Sequence, residues 1–241
     1  MKKVDLNVDI GEGFPHDEAL LEFATSANVC CGKHAGSREL TGKTVELCLR
    51  KNVRIGAHPG FPDREGFGRR IPPDATPKDM AGHVAEQIEW FANAFQMEYI
   101  KPHGILYTIL SDPLPRDIPT RWKSSCAGTL AGLSGRFKMF ERRKFAWMLL
   151  PGTRFGTAMR QIFIPVIKEG FADRRYLPEG TLVPRSEPGA VLEDADQIKK
   201  QVLRIAPKVD SICLHGDTPH CLEFAEMVYK TLKDAGYEVG F

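Results

Sequence analysis

Short apolar segments recur along this chain and alternate with stretches of helical periodicity. Seven segments have the length and composition of strands, at 4–8, 27–31, 53–57, 99–101, 145–150, 162–167 and 211–214. Such alternation is typical of βα units, in which parallel strands form a sheet covered by helices. About seven units in 241 residues suit either a closed barrel or a large open sheet, and length alone does not separate them. We expect one α/β domain spanning 1–241.

The composition excludes several classes of function. The chain is 42% hydrophobic and 27% charged with a net charge of +2, which is ordinary for a soluble domain and provides no basic stripe for nucleic acid. No uncharged stretch approaches the ~20 residues of a membrane span, and no signal peptide is visible. The six cysteines show no C-x-x-C spacing, which fits a reduced compartment better than a disulfide scaffold. We therefore expect a cytoplasmic protein that binds neither membrane nor nucleic acid.

Two helices can be placed from sequence. Thr76 to Asp79 resembles a capping box with proline at the first helical position. Apolar residues follow at helical spacing: Met80, Val84, Ile88, Phe91 and Phe95. The last helix is predicted to begin at Thr218 and Pro219 and to end near Gly236. The segment 108–144 shows the least clear pattern.

Four of the seven histidines share one local context. His34, His58, His103 and His215 each come just after a strand-like run, in a segment rich in glycine or proline. Such residues interrupt helices, so each histidine is expected where a strand ends and the chain turns. Strand ends of a parallel sheet converge, which predicts that the four side chains meet. Because no H-x-x-x-H pair is present, a metal site would have to be assembled from separate strands, and whether one exists stays open.

The other three histidines, His16, His83 and His220, lack that context. His83 falls within the helix predicted to begin at Thr76, and His220 falls in the first turn of the last predicted helix. Both are interpreted as surface or packing residues.

Polar residues line one face of the first strand. Alternation places Asp5, Asn7 and Asp9 on the same side, and Glu12 follows between two glycines. Polar groups inside a parallel sheet are costly unless they are paired or functional. The alternative is an edge strand with a solvated face. The adjacent glycines favour a site.

The segment 60–70 has the composition of a ligand-binding loop. Its glycines allow close approach of backbone, and Arg69 and Arg70 could bind oxyanions. The alternative is a solvated surface loop. A phosphate-binding P-loop is not predicted, because the spacing from Gly36 to Gly42 is wrong and that segment is helical in pattern. A helix N-terminus after His215 and Asp217, aided by Lys101 or an arginine, is the better candidate for phosphate.

Taken in order, the motifs resemble the LamB/YcsF family. They are DLNVDIGEG (5–13), SANVCCGKHAG (26–36), GAHPGFPD (56–63), GFGRR (66–70), KPHGILY (101–107), FADRRY (171–176) and HGDTP (215–219). The resemblance implies a (β/α) barrel, of the distorted seven-stranded glycoside hydrolase/deacetylase type. It also implies the A subunit of an ATP-dependent 5-oxoprolinase, in which 5-oxo-L-proline, ATP and water give L-glutamate, ADP and phosphate. Partner subunits B and C, ATP with Mg²⁺, and no tightly bound organic cofactor are expected on the same ground.

Within the implied reaction, roles can be assigned as hypotheses. Asp9 is a base or orients water, His58 and His103 transfer protons, and Lys101 and Arg70 bind oxyanions. Further residues complete the site, with Asp63 as a catalytic candidate and the others binding substrate or phosphate: Asn7, Glu12, His34, Asp63, Arg69, His215 and Asp217.

Two other functions remain compatible with these residues. One is a metal-dependent, deacetylase-like hydrolase, with the ion held by Asp9, His34 and His58. The other is a non-catalytic subunit that binds the lactam and presents it to its partners.

Overall fold

The computed structural model describes residues 2–111, 118–141, 145–218 and 220–241. Strands and helices alternate along most of this length. The strands are β1 (Lys2–Ile10), β2 (Ser26–Cys30), β3 (Arg54–His58), β4 (Tyr99–Ile100), β5 (Ala146–Leu149), β6 (Val166–Phe171), β7 (Ser211–Leu214) and β8 (Tyr237–Val239). The helices are α1 (Asp17–Leu20), α2 (Arg38–Lys51), α3 (Pro77–Ala94), α4 (Gly104–Leu110), α5 (Thr120–Glu141), α6 (Arg154–Gln161), α7 (Ala195–Ile205) and α8 (Cys221–Asp234).

Seven parallel strands close into a barrel. Each of β1 to β6 pairs with the next strand, and β7 pairs with β1, so that the sheet has no open edge between them. β8 lies outside this ring and pairs with Lys2–Val4, the first residues of β1. The seven-stranded (β/α) barrel is therefore confirmed, and the open-sheet alternative is excluded.

β1 is fully enclosed between β2 and β7. Its apolar residues Val4, Leu6, Val8 and Ile10 belong to the main core cluster, together with apolar residues of α7 and α8. The alternate positions, Asp5, Asn7 and Asp9, are buried as well and point to the barrel interior. The alternative of an edge strand with a solvated face is thus excluded, because both edges of β1 are paired.

Hydrogen bonds offset the energetic cost of burying the polar face of β1. Asp5 accepts hydrogen bonds from the hydroxyls of Thr25, Ser26 and Ser211, which belong to or adjoin the neighbouring strands. Asn7 donates to Ser211 Oγ at 2.7 Å. Three hydrogen-bond donors replace most of the hydration that this carboxylate loses when it is buried.

Helix α3 begins as predicted, since Thr76 caps it and its hydroxyl accepts a hydrogen bond from the Asp79 amide at 3.2 Å. The last helix begins later than predicted, at Cys221. His220 precedes it as the N-cap, with a left-handed φ of 61° that ends the preceding turn. Pro219 lies outside the described residues.

The sixth strand is shifted from its predicted position. Residues 162–165 form a turn after α6, with Phe163 at φ 57° and Pro165 without an amide hydrogen, so the strand runs over Val166–Phe171. The segment with the least clear pattern, 108–144, contains the end of α4 and the long helix α5, and its residues 112–117 and 142–144 lie outside the described residues. Among the described residues, no helix combines the length and apolarity that a membrane crossing requires.

Candidate active site

The carboxyl ends of four barrel strands bring together the residues that the sequence singled out. β1 leads to Glu12, β2 to His34, β4 to His103, and β3 ends at His58 itself. In barrel enzymes, this end of the sheet carries the active site because the loops after each strand converge there.

Glu12, His34, His58 and His103 form a compact group, referred to below as the histidine cluster. Glu12 Oε1 lies 3.2 Å from His34 Nε2, 3.3 Å from His103 Nδ1 and 3.9 Å from His58 Nε2. His58 Nε2 and His103 Nδ1 are 2.9 Å apart. The rings of His34 and His103 stack with centroids 3.8 Å apart. All four side chains are buried.

Backbone carbonyls set the orientation of two of these rings. His58 Nδ1 lies 2.7 Å from the Lys101 carbonyl, and His103 Nε2 lies 2.8 Å from the Phe67 carbonyl. Because a carbonyl oxygen only accepts hydrogen bonds, each of these nitrogens carries the hydrogen. The opposite nitrogens, His58 Nε2 and His103 Nδ1, face Glu12. Burial lowers the pKa of both His58 and His103, so both rings are neutral at pH 7.

The glycine-rich loop 60–70 packs directly on the rings. A Cβ on Gly60 would stand 2.5 Å from His34 Nδ1, and one on Gly68 would stand 2.8 Å from His34 Cβ. Gly68 also has a φ of 65°, a conformation that other residues rarely adopt. Only glycine at these positions allows backbone to approach the histidines so closely.

A second group surrounds the ammonium of Lys101, which is 2% exposed inside the barrel. Lys101 Nζ lies 2.7 Å from Asp9 Oδ1, 3.2 Å from Glu169 Oε1 and 2.9 Å from Cys213 Sγ. Asn28 donates a further hydrogen bond to Asp9 Oδ1 at 2.7 Å. The interior of the barrel therefore holds one cation between two carboxylates.

Charge within this group determines the protonation states. Burial opposes ionisation of Asp9, but His58 and Lys101 hold the pKa of Asp9 well below its usual range. Burial likewise opposes the charge of Lys101, yet the nearby carboxylates raise its pKa well above the ordinary value. Asp9 Oδ2 is also 3.5 Å from His58 Nε2. Asp9 is thus an ionised carboxylate that links the lysine to the histidine cluster.

The pKa values of Glu12 and Glu169 are shifted upward, opposite to that of Asp9. Burial, together with the negative charge of Asp9, raises the pKa of Glu12 well above its usual range. Burial also raises the pKa of Glu169. The site therefore contains carboxyl groups whose pKa values are shifted in opposite directions, an arrangement that suits acid–base chemistry.

A third group lies at the end of β7. His215 Nδ1 is 2.9 Å from Asp173 Oδ1, and the His215 ring stacks on Phe171. Asp217 binds Arg69 Nη2 at 2.5 Å and Arg185 Nη1 at 3.2 Å. Burial would raise the pKa of Asp217, but the surrounding cationic groups lower it to about 2. Arg69 is thus held by a carboxylate of the protein.

Some candidates lie away from these contacts. Asp63 and Arg70 bind each other, with Oδ1 and Nη2 2.7 Å apart, and Asp63 also accepts a hydrogen bond from the Gly66 amide. These bonds shape the loop, and the Arg70 side chain is 60% exposed. Asn7, by contrast, borders the Lys101 group: its Oδ1 lies 3.4 Å from Lys101 Nζ, and it also binds Ser211 and Asn28.

His34 and His58, two members of the metal set considered from sequence, lie together with Glu12 and His103. Glu12 is the carboxylate within 3.9 Å of all three histidines, whereas Asp9 binds Lys101 through Oδ1 and approaches His58 through Oδ2 at 3.5 Å.

Sequence reasoning missed Glu169, Asp173, Cys213 and Arg185 as site residues. The prediction that the sixth strand ended at residue 167 left Glu169 outside it, whereas β6 carries Glu169 toward Lys101. A strand prediction that started after Pro165 would have found this residue. Arg185 comes from an irregular segment, and nothing in its local pattern indicated that it would reach Asp217.

The fold and the site together define a (β/α)-barrel protein with a polar site at the carboxyl ends of its strands. The model of the LamB/YcsF family matches residues 4–240, and the chain belongs to this family.

Relatives match over almost the whole length. A protein of Pyrococcus furiosus, named as the A subunit of 5-oxoprolinase, is 35% identical over 261 aligned residues, covering 98% of this chain and 96% of the relative. A protein of the same name from Neisseria meningitidis serogroup C is 37% identical over 258 residues, covering 99% of both. The crystal structure of a lactam utilization protein from Thermus thermophilus superposes with a TM-score of 0.77 at 30% identity, covering 100% of this chain and 99% of that one.

Proposed function

We propose that this chain is the A subunit of an ATP-dependent 5-oxoprolinase and opens the lactam ring of 5-oxo-L-proline together with partner subunits B and C. The observation that carries the proposal is the ionised Asp9 held between the Lys101 ammonium and the neutral ring of His58. The names of the relatives from Pyrococcus and Neisseria support the substrate.

The chemistry of a lactam explains why such residues are needed. Resonance stabilises the amide, so its carbonyl oxygen has to be activated before water can attack. ATP with Mg²⁺ would transfer its terminal phosphoryl group to that oxygen, with ADP as the leaving group. Water then adds to the ring carbon, the C–N bond breaks as the nitrogen gains a proton, and a second water releases phosphate from the resulting acyl phosphate. The products are glutamate, ADP and phosphate.

The residues of the barrel match the demands of these steps. Asp9 is an ionised carboxylate and serves as the base that takes a proton from the attacking water. The proton that Asp9 gains can then pass to the leaving nitrogen, since the single hydrogen of neutral His58 and of neutral His103 is donated to a backbone carbonyl. The charge of Lys101 stabilises the negative charge that develops on oxygen.

Reconstitution tests the proposal directly. The purified chain is mixed with its cognate B and C subunits, 5-oxoproline, ATP and Mg²⁺, and glutamate and ADP are measured together. We expect both products in equal amounts from the complex, and neither from this chain alone. Equal amounts of both products from the chain alone would contradict the need for partners, whereas their absence from the complex would contradict the lactam reaction.

A variant separates the role of Asp9 from folding. Asp9→Asn keeps the size of the side chain but removes the base, and turnover by the complex should fall about 100-fold or more. The matched control is Asp196→Asn, on the exposed face of α7, where the side chain is 78% exposed. An unchanged rate with Asp9→Asn would place the base elsewhere.

A further inference from the structure

We propose that Glu12, His34, His58 and His103 together bind one divalent transition-metal ion. This inference stands on the geometry of the four side chains and does not depend on the lactam reaction proposed above.

The distances within the histidine cluster match those around a metal ion. Zinc–nitrogen bonds of about 2.0–2.1 Å in a tetrahedron place neighbouring ligand atoms roughly 3.3 Å apart. The four contacts described above are 2.9, 3.2, 3.3 and 3.9 Å. One nitrogen from each histidine and one Glu12 oxygen therefore already surround a single point.

The direction of the lone pairs points to a cation. His58 Nε2 and His103 Nδ1 lie 2.9 Å apart, and each ring donates its hydrogen to a backbone carbonyl on its other side. Two lone pairs then face each other. A shared proton would satisfy these two nitrogens, and Glu12 and His34 would then be left to pair with each other, at 3.2 Å. A metal ion satisfies all four.

The surroundings also resemble those of known metal ligands. Metal-binding histidines almost always donate their second ring hydrogen to a carbonyl or carboxylate, which fixes the ring and its tautomer. The carbonyls of Lys101 and Phe67 do this for His58 and His103. Gly60 and Gly68 fix the position of His34 by close backbone contact.

The ligand chemistry selects the class of ion. Three imidazoles and one carboxylate suit zinc, manganese, iron, cobalt or nickel, whereas Mg²⁺ and Ca²⁺ prefer oxygen ligands alone. The ion is therefore distinct from the Mg²⁺ that accompanies ATP.

A neighbouring group is a poorer candidate. Asp9, Cys213 and His215 also place ligand atoms close together. The Lys101 ammonium lies 2.7 Å from Asp9 Oδ1 and 2.9 Å from Cys213 Sγ, however, and occupies that position as a cation.

Metal binding can be measured without any assay of activity. The chain is treated with a chelator, dialysed, and titrated with Zn²⁺ and separately with Co²⁺ in the presence of excess Mg²⁺. We expect one ion per chain by elemental analysis, visible d–d absorption from bound Co²⁺, and a higher melting temperature in the loaded protein.

Variants locate the ion. His103→Ala and Glu12→Gln should each weaken Co²⁺ binding by more than about 100-fold, since each removes a direct ligand and loss of an outer-shell partner alone costs up to that amount. His83→Ala and His220→Ala are the controls, because their side chains are 43% and 64% exposed and lie outside the cluster. Circular dichroism establishes that each variant is folded.

Two results would overturn the inference. One is wild-type protein that takes up neither Zn²⁺ nor Co²⁺ on titration. The other is uptake by a folded Glu12→Gln or His103→Ala variant with the affinity of the wild type. Loss of lactam hydrolysis in reconstituted complexes would bear on the proposed function but not on these binding measurements.

Discussion

Replacement of Lys101 by methionine should be strongly destabilising. The side chain is 2% exposed, and its ammonium lies 2.7 Å from Asp9 and 3.2 Å from Glu169. Methionine has nearly the same length, so little of the effect comes from a cavity. The variant leaves two buried carboxylates without their cation, and loss of one partner of a buried ion pair costs about 3–5 kcal/mol. A domain has about 5–15 kcal/mol of stability in total, so the loss is a large fraction of it.

Urea unfolding in chelator-containing buffer measures this loss, as the change in the free energy of unfolding from the midpoint and slope of the transition. Lys43→Met is the matched control. Lys43 forms a solvent-exposed i,i+4 pair with Glu39, so its replacement should leave the free energy of unfolding nearly unchanged.

A double mutant tests the electrostatic cause. Adding Glu169→Gln to Lys101→Met removes one of the two uncompensated charges, so the pair of substitutions should cost less than the sum of the single ones. We expect a coupling energy of about 1–3 kcal/mol. A loss below about 1 kcal/mol for Lys101→Met, or strict additivity in the double mutant, would refute the reasoning.

Three further predictions concern stability. The Asp217 pKa of about 2 lies below its unfolded value of 3.8, so ionised Asp217 stabilises the fold above pH 5 and this contribution disappears as pH falls toward 2. The difference in unfolding free energy between wild type and Asp217→Asn should therefore shrink by about 2 kcal/mol from pH 6 to pH 2, and a constant difference would contradict this. Gly36→Ala should cost about 2 kcal/mol or more in urea unfolding, because φ is 57° and the new Cβ would stand 2.2 Å from the Gly11 carbonyl. Gly82→Ala, within α3 and with open space around it, should instead be neutral or stabilising. Thr76→Ala should lower stability by about 1 kcal/mol by thermal unfolding, whereas Thr76→Ser should retain the cap.

Much of the site could be predicted from the glycine and proline residues that mark the strand ends. A histidine after an apolar run and before glycine or proline marks a strand terminus, and closure of the barrel then brings His34, His58 and His103 together. Alternation along β1 likewise placed Asp9 on the inner face. These features depend on local geometry, which sequence patterns report well.

Contacts between residues that are far apart in the sequence could not be predicted. Arg69 and Asp217 are 148 residues apart, and nothing local shows that they bind each other. Local patterning likewise does not show that Glu12 contacts His34 while Asp9 binds Lys101. The sequence shows which strand carries a charged side chain. It does not show which residue of opposite charge will lie beside it.

The closure of the barrel between β1 and β7 has a consequence for how the chain folds during synthesis. The hydrogen bond that joins Asp5 to Ser211 spans 206 residues. At ribosomal rates of about 5–20 residues per second, β1 waits roughly 10–40 s for its partner. An apolar strand with an unpaired edge would be prone to pair with another chain during that interval, and charged residues on a strand discourage such pairing. Asp5 and Asp9, which the finished barrel buries, are charges of this kind on β1 throughout that interval.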